Sequence, residues 1–194
     1  YLLNPDMVLD ENTLNNLTFS SDNYEISGTD TYDYNNKDFL HSGLCSINKL
    51  IGTINFIDQS DKISEADYVN GGSMFFHSSA IKEIGLFPEQ YFLYWEESAW
   101  CKLAKLKGYK LINKEKAKVW DKGSQVIGKG KIAEYYYTRN GLYYNVRYYP
   151  IYVLPNLIAH GLRILYRILQ FRFKRAWGIV LGIIDFILNK KGQL

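Results

Sequence analysis

Residues 84–111 constrain the fold more than any other stretch of the chain. Pro88 interrupts regular structure, an aromatic run follows at residues 91–95, and the spacing predicts a helix over residues 96–107. Glu96 and Glu97 open that helix, and Lys102, Lys105 and Lys107 lie toward its end, the order the helix dipole favours. Gly108 supplies the stop, and residues 109–113 read as a strand. A capped helix running straight into a strand is the unit from which an α/β chain is built.

Similar punctuation recurs elsewhere. Residues 1–9 read as a buried strand broken at Asn4-Pro5-Asp6 and followed by a polar helix start at Asp10-Glu11. Residues 68–77 alternate apolar and small side chains around Gly71-Gly72, as in a strand that another backbone approaches closely. Ser78 or Ser79 is expected to cap a short helix ending near Gly85. Residues 117–120 read as a strand, 123–131 as a Gly/Lys/Ser loop, and 134–149 as a tyrosine-rich helix carrying Arg139 and Asn140. Residues 18–67, rich in Asn, Asp, Ser and Thr, read as a loop-rich surface excursion with strand-like pieces near 50–57. A chain that is 47% hydrophobic and 16% aromatic is not a disordered segment, and 194 residues suit one domain with or without an appendage. The opening Tyr1-Leu2-Leu3 already lies inside an apolar run, so a longer protein cut through a strand is expected.

The last part of the chain differs in character. Residues 151–169 set Leu154, Leu157, Ile158, Leu162, Leu165, Ile168 and Leu169 near helical spacing, with His160, Arg163 and Arg167 among them. A basic link (Arg172, Lys174, Arg175) leads to a second apolar stretch at 176–188. Neither reaches the roughly 20 apolar residues a membrane span needs. Amphipathic helices of this kind suit an anionic membrane surface, a partner groove or simple packing on the main body. Charge is also split. Residues 1–100 hold 16 acidic and 4 basic side chains, and residues 101–194 hold 4 and 19. Something anionic is therefore expected to meet the second half. The basic residues lie at helix ends and in loops without a nucleic-acid motif, so a nucleic-acid partner is not expected. Two cysteines form no disulfide framework and match no metal spacing, as in a reducing compartment.

Acids stand at several element ends: Asp6 after a strand, Glu96 and Glu97 at a helix start, and Asp121 after a strand. α/β sheets place metal ligands and general bases at such ends. Each could equally be a cap, a dipole-favoured first turn or a turn residue.

The order of these pieces resembles the family-2 glycosyltransferases, in their rhamnosyl- and galactofuranosyltransferase-like branch. Leu2-Leu3-Asn4-Pro5-Asp6 is similar to that branch's Asp-x-Asp motif. Tyr68-Val69-Asn70-Gly71-Gly72-Ser73 is similar to the glycine strand before the acceptor site. Ile84 to Glu89, with Phe92-Leu93-Tyr94-Trp95-Glu96-Glu97, resembles the "G-x-F-D-E … F-x-Y-x-E-D" signature. Lys118 to Ser124, with Tyr137-Thr138-Arg139-Asn140, resembles the tail "V-x-H-x-x-x-S … R-N".

The resemblance implies a GT-A fold, with residues 1–149 as its C-terminal portion and 150–194 as an amphipathic helical tail. It implies that Asp6 and Asp121 bind a divalent cation (Mg²⁺ or Mn²⁺), and that Glu97 is the general base of an inverting transfer. Gly71, Gly72, Trp95, Glu96, Lys122 and Arg139 would contact substrate. The partners implied are a nucleotide-sugar donor and a glycan or polyprenyl-diphosphate-linked acceptor. The implied setting is the cytoplasmic, inner face of the cell membrane, in surface polysaccharide synthesis. Departures are Pro88 for the acid of "F-D-E", Ala99 for a typical Asp, and Asp121 for His. They keep open an alternative, an acceptor- or membrane-docking module of the same fold with weak or no activity.

Overall fold

In a computed structural model, residues 1–18, 23–57, 66–123 and 130–194 are described. They form a mixed α/β structure with a mixed sheet, as the helix–strand punctuation implies. By its internal contacts the chain divides into two units. The first comprises Tyr1–Ser46, Ile54–Phe87 and Glu97–Ser124; the second comprises Ile47–Thr53, Pro88–Glu96 and Gln125–Leu194.

Among the described residues the first unit is built on nine strands: β1 (Leu2–Leu3), β2 (Met7–Leu9), β3 (Glu25–Asp33), β4 (Phe39–His41), β5 (Leu44–Asn48), β6 (Thr53–Phe56), β7 (Tyr68–Val69), β8 (Ser73–Phe76) and β9 (Lys110–Asp121). The tip of the β5–β6 connection is counted in the second unit. Six strands make one sheet in the order β1-β8-β3-β9-β2, with β4 on β3, and β6-β5-β7 make a second. β3 and β9 run parallel, and the other pairs with a stated register run antiparallel. Helices α1 (Thr13–Thr18), α2 (Ser79–Ile84) and α3 (Glu96–Leu106) complete it, Glu96 itself being counted in the second unit.

The central strand β3 overturns the reading of residues 18–67 as surface excursion. Ile26, Ser27, Gly28, Thr29 and Thr31 are buried there. Apart from Ile26 its core positions are small or hydroxylic, so burial leaves little apolar signature. The Thr29 hydroxyl is satisfied internally, against Ser73 Oγ at 2.6 Å, whereas Ser27 Oγ is buried without a partner among the described residues. Residues 109–113 and 117–120 are likewise one strand, β9, whose register against β3 shifts beside Thr29 and Asp30. Leu2 is 40% exposed, so β1 is an edge rather than a buried strand. No serine hydroxyl caps α2; the His77 ring accepts the Ser79 N–H at 3.2 Å. The expected 123–131 loop falls mostly outside the described residues.

The sheet must curl. β1 and β2 stand at opposite ends of a five-strand path, which at about 4.8 Å per strand would part them by roughly 19 Å if flat. Yet one tight turn joins them, closed by Met7 N donating to Asn4 O at 3.0 Å.

α3 packs its apolar side inward. Trp100 is fully buried, stacks on Phe87 (4.7 Å between centroids) and donates its indole N–H to Gly85 O at 2.8 Å. Cys101 is buried and free, and burial pushes its thiol up to about 12. The helix ends at Leu106, and Gly108 takes the positive φ of 88° that its stop requires.

The second unit is helical: α4 (Lys131–Tyr148), a 3₁₀ turn at Pro150–Tyr152, α5 (Val153–Leu169) and α6 (Phe173–Ile187). α6 lies close on α4 through small residues. A Cβ on Gly182 would come within 2.7 Å of Tyr135 O, so only glycine permits that approach.

Candidate active site

In the first unit a relay of backbone contacts fixes one end of the curled sheet. Gly28 on β3 and Gly43 cross so closely that a Cβ on Gly28 would lie 2.7 Å from Gly43 Cα. Gly43 O accepts the Asn70 N–H at 2.8 Å, which sets the start of the glycine turn between β7 and β8. Asn70 Oδ1 then takes the Gly72 N–H at 2.7 Å, an Asx turn. Gly72 O in turn accepts the Asn4 N–H at 2.9 Å. The Asn4-Pro5-Asp6 turn, whose proline presets the φ of a turn's second residue, is thereby tied to Gly71-Gly72.

Two further residues join this end through β9. Met7 pairs with Asp121, and Asp6 O accepts the Lys122 N–H at 3.0 Å. Asp121 Oδ1 accepts the Gly123 N–H at 2.7 Å, and the Lys122 ammonium lies 5.3 Å from the Tyr34 ring centre. Glu97, in the first turn of α3, is half-buried, and a Cβ on Gly71 would touch its side chain at 3.7 Å. Asp6, Gly71, Gly72, Glu97, Asp121 and Lys122, expected to act together on sequence grounds, are thus linked through successive contacts in one unit.

Three other expected site residues belong to the second unit. Trp95 is 1% exposed, with its indole N–H donated to Tyr137 O at 3.0 Å. Glu96 is half-buried. Arg139 is 1% exposed, and its guanidinium donates to Tyr135 Oη (2.9 Å), Asn140 Oδ1 (3.0 Å) and Gly192 O (2.7 Å). In this arrangement Arg139 fastens α4 to the chain's last residues. Asn140 pins the aromatic loop, its amide donating to Tyr91 O at 2.6 Å and Leu93 O at 2.7 Å. That loop is strained: Phe92, Tyr94 and Trp95 hold φ of 61°, 62° and 73°. Each such non-glycine residue costs about 1–3 kcal/mol, which the pinning bonds and the burial of Trp95 offset.

Sequence reading missed a charge cluster in the second unit. Glu134, 4% exposed on α4, meets Arg163 and Arg167 of α5 (both 2.9 Å) and Arg175 of α6 (2.5 Å). With Tyr94, Ala133 and Tyr137, these Glu134, Arg163 and Arg175 side chains line a cleft of about 250 Å³. The four-residue spacing of Arg163 and Arg167 was the available signal, since it sets both on one helix face.

Among the described residues no group of three or more His, Cys, Asp or Glu side chains could hold a metal ion. Asp6 Oδ1, however, is buried with no hydrogen-bond partner. A carboxylate oxygen left in that state is one that a hard cation satisfies. Ala99, where the resembled family has an acid, is 1% exposed. An acid at this position would need a partner inside the core.

No family model matches the chain, and no curated protein matches it.

Proposed function

We propose that this protein is a metal-dependent, inverting glycosyltransferase of the GT-A fold. It moves a sugar from a nucleotide-diphosphate donor to a glycan or polyprenyl-diphosphate-linked acceptor in surface polysaccharide synthesis. The observation that carries the reading is the coupling of two turns in the first unit: Asn4-Pro5-Asp6 bonded to Gly71-Gly72, with Gly71 against Glu97. The coupling links a buried, unsatisfied carboxylate oxygen to a half-buried glutamate through the Gly71-Gly72 backbone.

On this reading Glu97 accepts the proton of the acceptor hydroxyl as that oxygen bonds to the anomeric carbon. The bond from that carbon to the donor's diphosphate oxygen breaks on the opposite face, so the configuration inverts and a nucleoside diphosphate leaves. Gly71, half-buried against the Glu97 side chain, borders the acceptor's place beside the base. Asp6, with Asp121 as second candidate ligand, would hold Mg²⁺ or Mn²⁺, which when bound would offset charge on the leaving group. Lys122, whose backbone N–H is tied to Asp6 O, supplies a cation for the donor phosphates. The working location is the cytoplasmic, inner face of the cell membrane.

The test is turnover of a panel of nucleotide sugars by the full-length protein with Mn²⁺, beside Asp6→Ala and Glu97→Gln. Asp6→Ala is expected to lose metal-dependent donor binding, and Glu97→Gln to keep donor binding while losing transfer. Transfer that survives Glu97→Gln unchanged removes Glu97 as the base.

A further inference from the structure

α5 is built inside out. Its buried residues are polar: Asn156 is fully buried, and His160 is 1% exposed. Arg163 and Arg167 also turn inward, toward Glu134. Its outward face carries Leu154, Ile158, Leu162, Leu165 and Leu169, spaced three or four apart and 58–78% exposed. A helix that faces only water puts its charges out and its leucines in. Here the polar contacts fix the rotation of α5 about its axis. Asn156 Nδ2 donates to Lys49 O at 2.6 Å and Leu50 O at 3.1 Å, and Glu134 holds α5 and α6 together through three arginines. The leucines cannot turn inward without breaking that set.

The surface continues past the helix. In the turn to α6, Phe171 is 83% and Phe173 59% exposed, with the exposed Arg172 and Lys174 beside them. Trp177, on the first turns of α6, is 52% exposed. Alternating aromatic and basic side chains beside an apolar helix face are what the headgroup region of a bilayer accommodates. Residues 150–194 carry seven basic side chains and one acid, Asp185. That acid is engaged by Tyr135 Oη at 2.8 Å and Lys190 at 2.9 Å. No helix among the described residues is long and apolar enough to cross a membrane.

We infer that α5 and the α5–α6 turn seat this protein in the surface of an anionic lipid bilayer, with the leucine face among acyl chains and Arg172 and Lys174 on lipid phosphates. A second copy is the poorer occupant, because it offers the exposed Arg172 and Lys174 the same cations and no anion to meet. The inference rests on the second unit alone and stands whether or not the first unit transfers sugar.

Flotation of the full chain with phosphatidylcholine vesicles, with and without phosphatidylglycerol, tests it. The chain is expected to float with the phosphatidylglycerol vesicles and less so at high salt. Its fluorescence should shift to the blue, a shift that Trp177→Phe removes. Leu162→Ser combined with Leu165→Ser should weaken partition at least about tenfold, and Arg172→Glu with Lys174→Glu should weaken it only on anionic vesicles. All four side chains lie at the surface, so unfolding temperatures should hold. Failure of the folded chain to float with anionic vesicles overturns the inference. So does unchanged partition of the double-serine variant, or a dimer that this variant dissociates while vesicles go unbound.

Discussion

α3 and α5 are both amphipathic, and they face opposite ways. α3 buries Ala99, Trp100, Cys101 and Ala104 and leaves its lysines toward the surface. α5 buries Asn156 and His160 and leaves its leucines out. Periodicity is the same property in both; what differs is the partner each polar face finds. Lys105 of α3 lies at the surface, where its ammonium donates to the carbonyl of Ala66 at 2.5 Å. The arginines of α5 meet a buried carboxylate, Glu134, and its Asn156 meets two backbone carbonyls, so the polar face has reason to turn inward.

Substitutions that break this comparison should rank by what they leave unsatisfied. Trp100→Ala removes a fully buried indole and should lower stability by about 3–5 kcal/mol in a denaturant titration. Glu134→Gln leaves three largely buried guanidiniums facing one another without a counter-charge, and a loss of about 2–4 kcal/mol is expected.

His160 sharpens the comparison through pH. Burial, with Arg163 beside it, holds its pKa down at about 3. The unfolded chain takes up that proton below about pH 6.5 and the folded one only near pH 3. Stability should therefore fall as pH drops through this window, by up to about 1.4 kcal/mol per pH unit for this site. His160→Gln should flatten that slope in thermal melts between pH 6 and 4. Leu162→Ser, at an outward position, should move stability by no more than about 0.5 kcal/mol. A loss as large as that of Trp100→Ala would mean the face is covered within the protein.

Legibility in the sequence followed the same division. α3 was readable nearly to the residue, because its charges, its leading proline and its closing Gly108 all agree with its packing. β3 was not, because apart from Ile26 its buried positions are Ser27, Gly28, Thr29 and Thr31, small or hydroxylic residues placed by a glycine crossing and the Thr29–Ser73 bond. In α5 the amphipathic pattern was plain but its orientation was not, since that is set by Glu134 on another helix. Within the candidate site, the acids and glycines could be singled out as residue types at element ends. Their linkage through Asn70, Gly72 and Asn4 came only with the folded backbone, as did the burial of Arg139 and Trp95.

The central claim is that chemistry resides beside Glu97 in the first unit. Its most direct test is the steady-state rate of sugar transfer to a water-soluble acceptor by the wild type and by Glu97→Gln. A base in contact with the acceptor predicts a fall in kcat of about 10²- to 10⁴-fold with donor affinity retained. Transfer by Glu97→Gln at the wild-type rate would contradict the account.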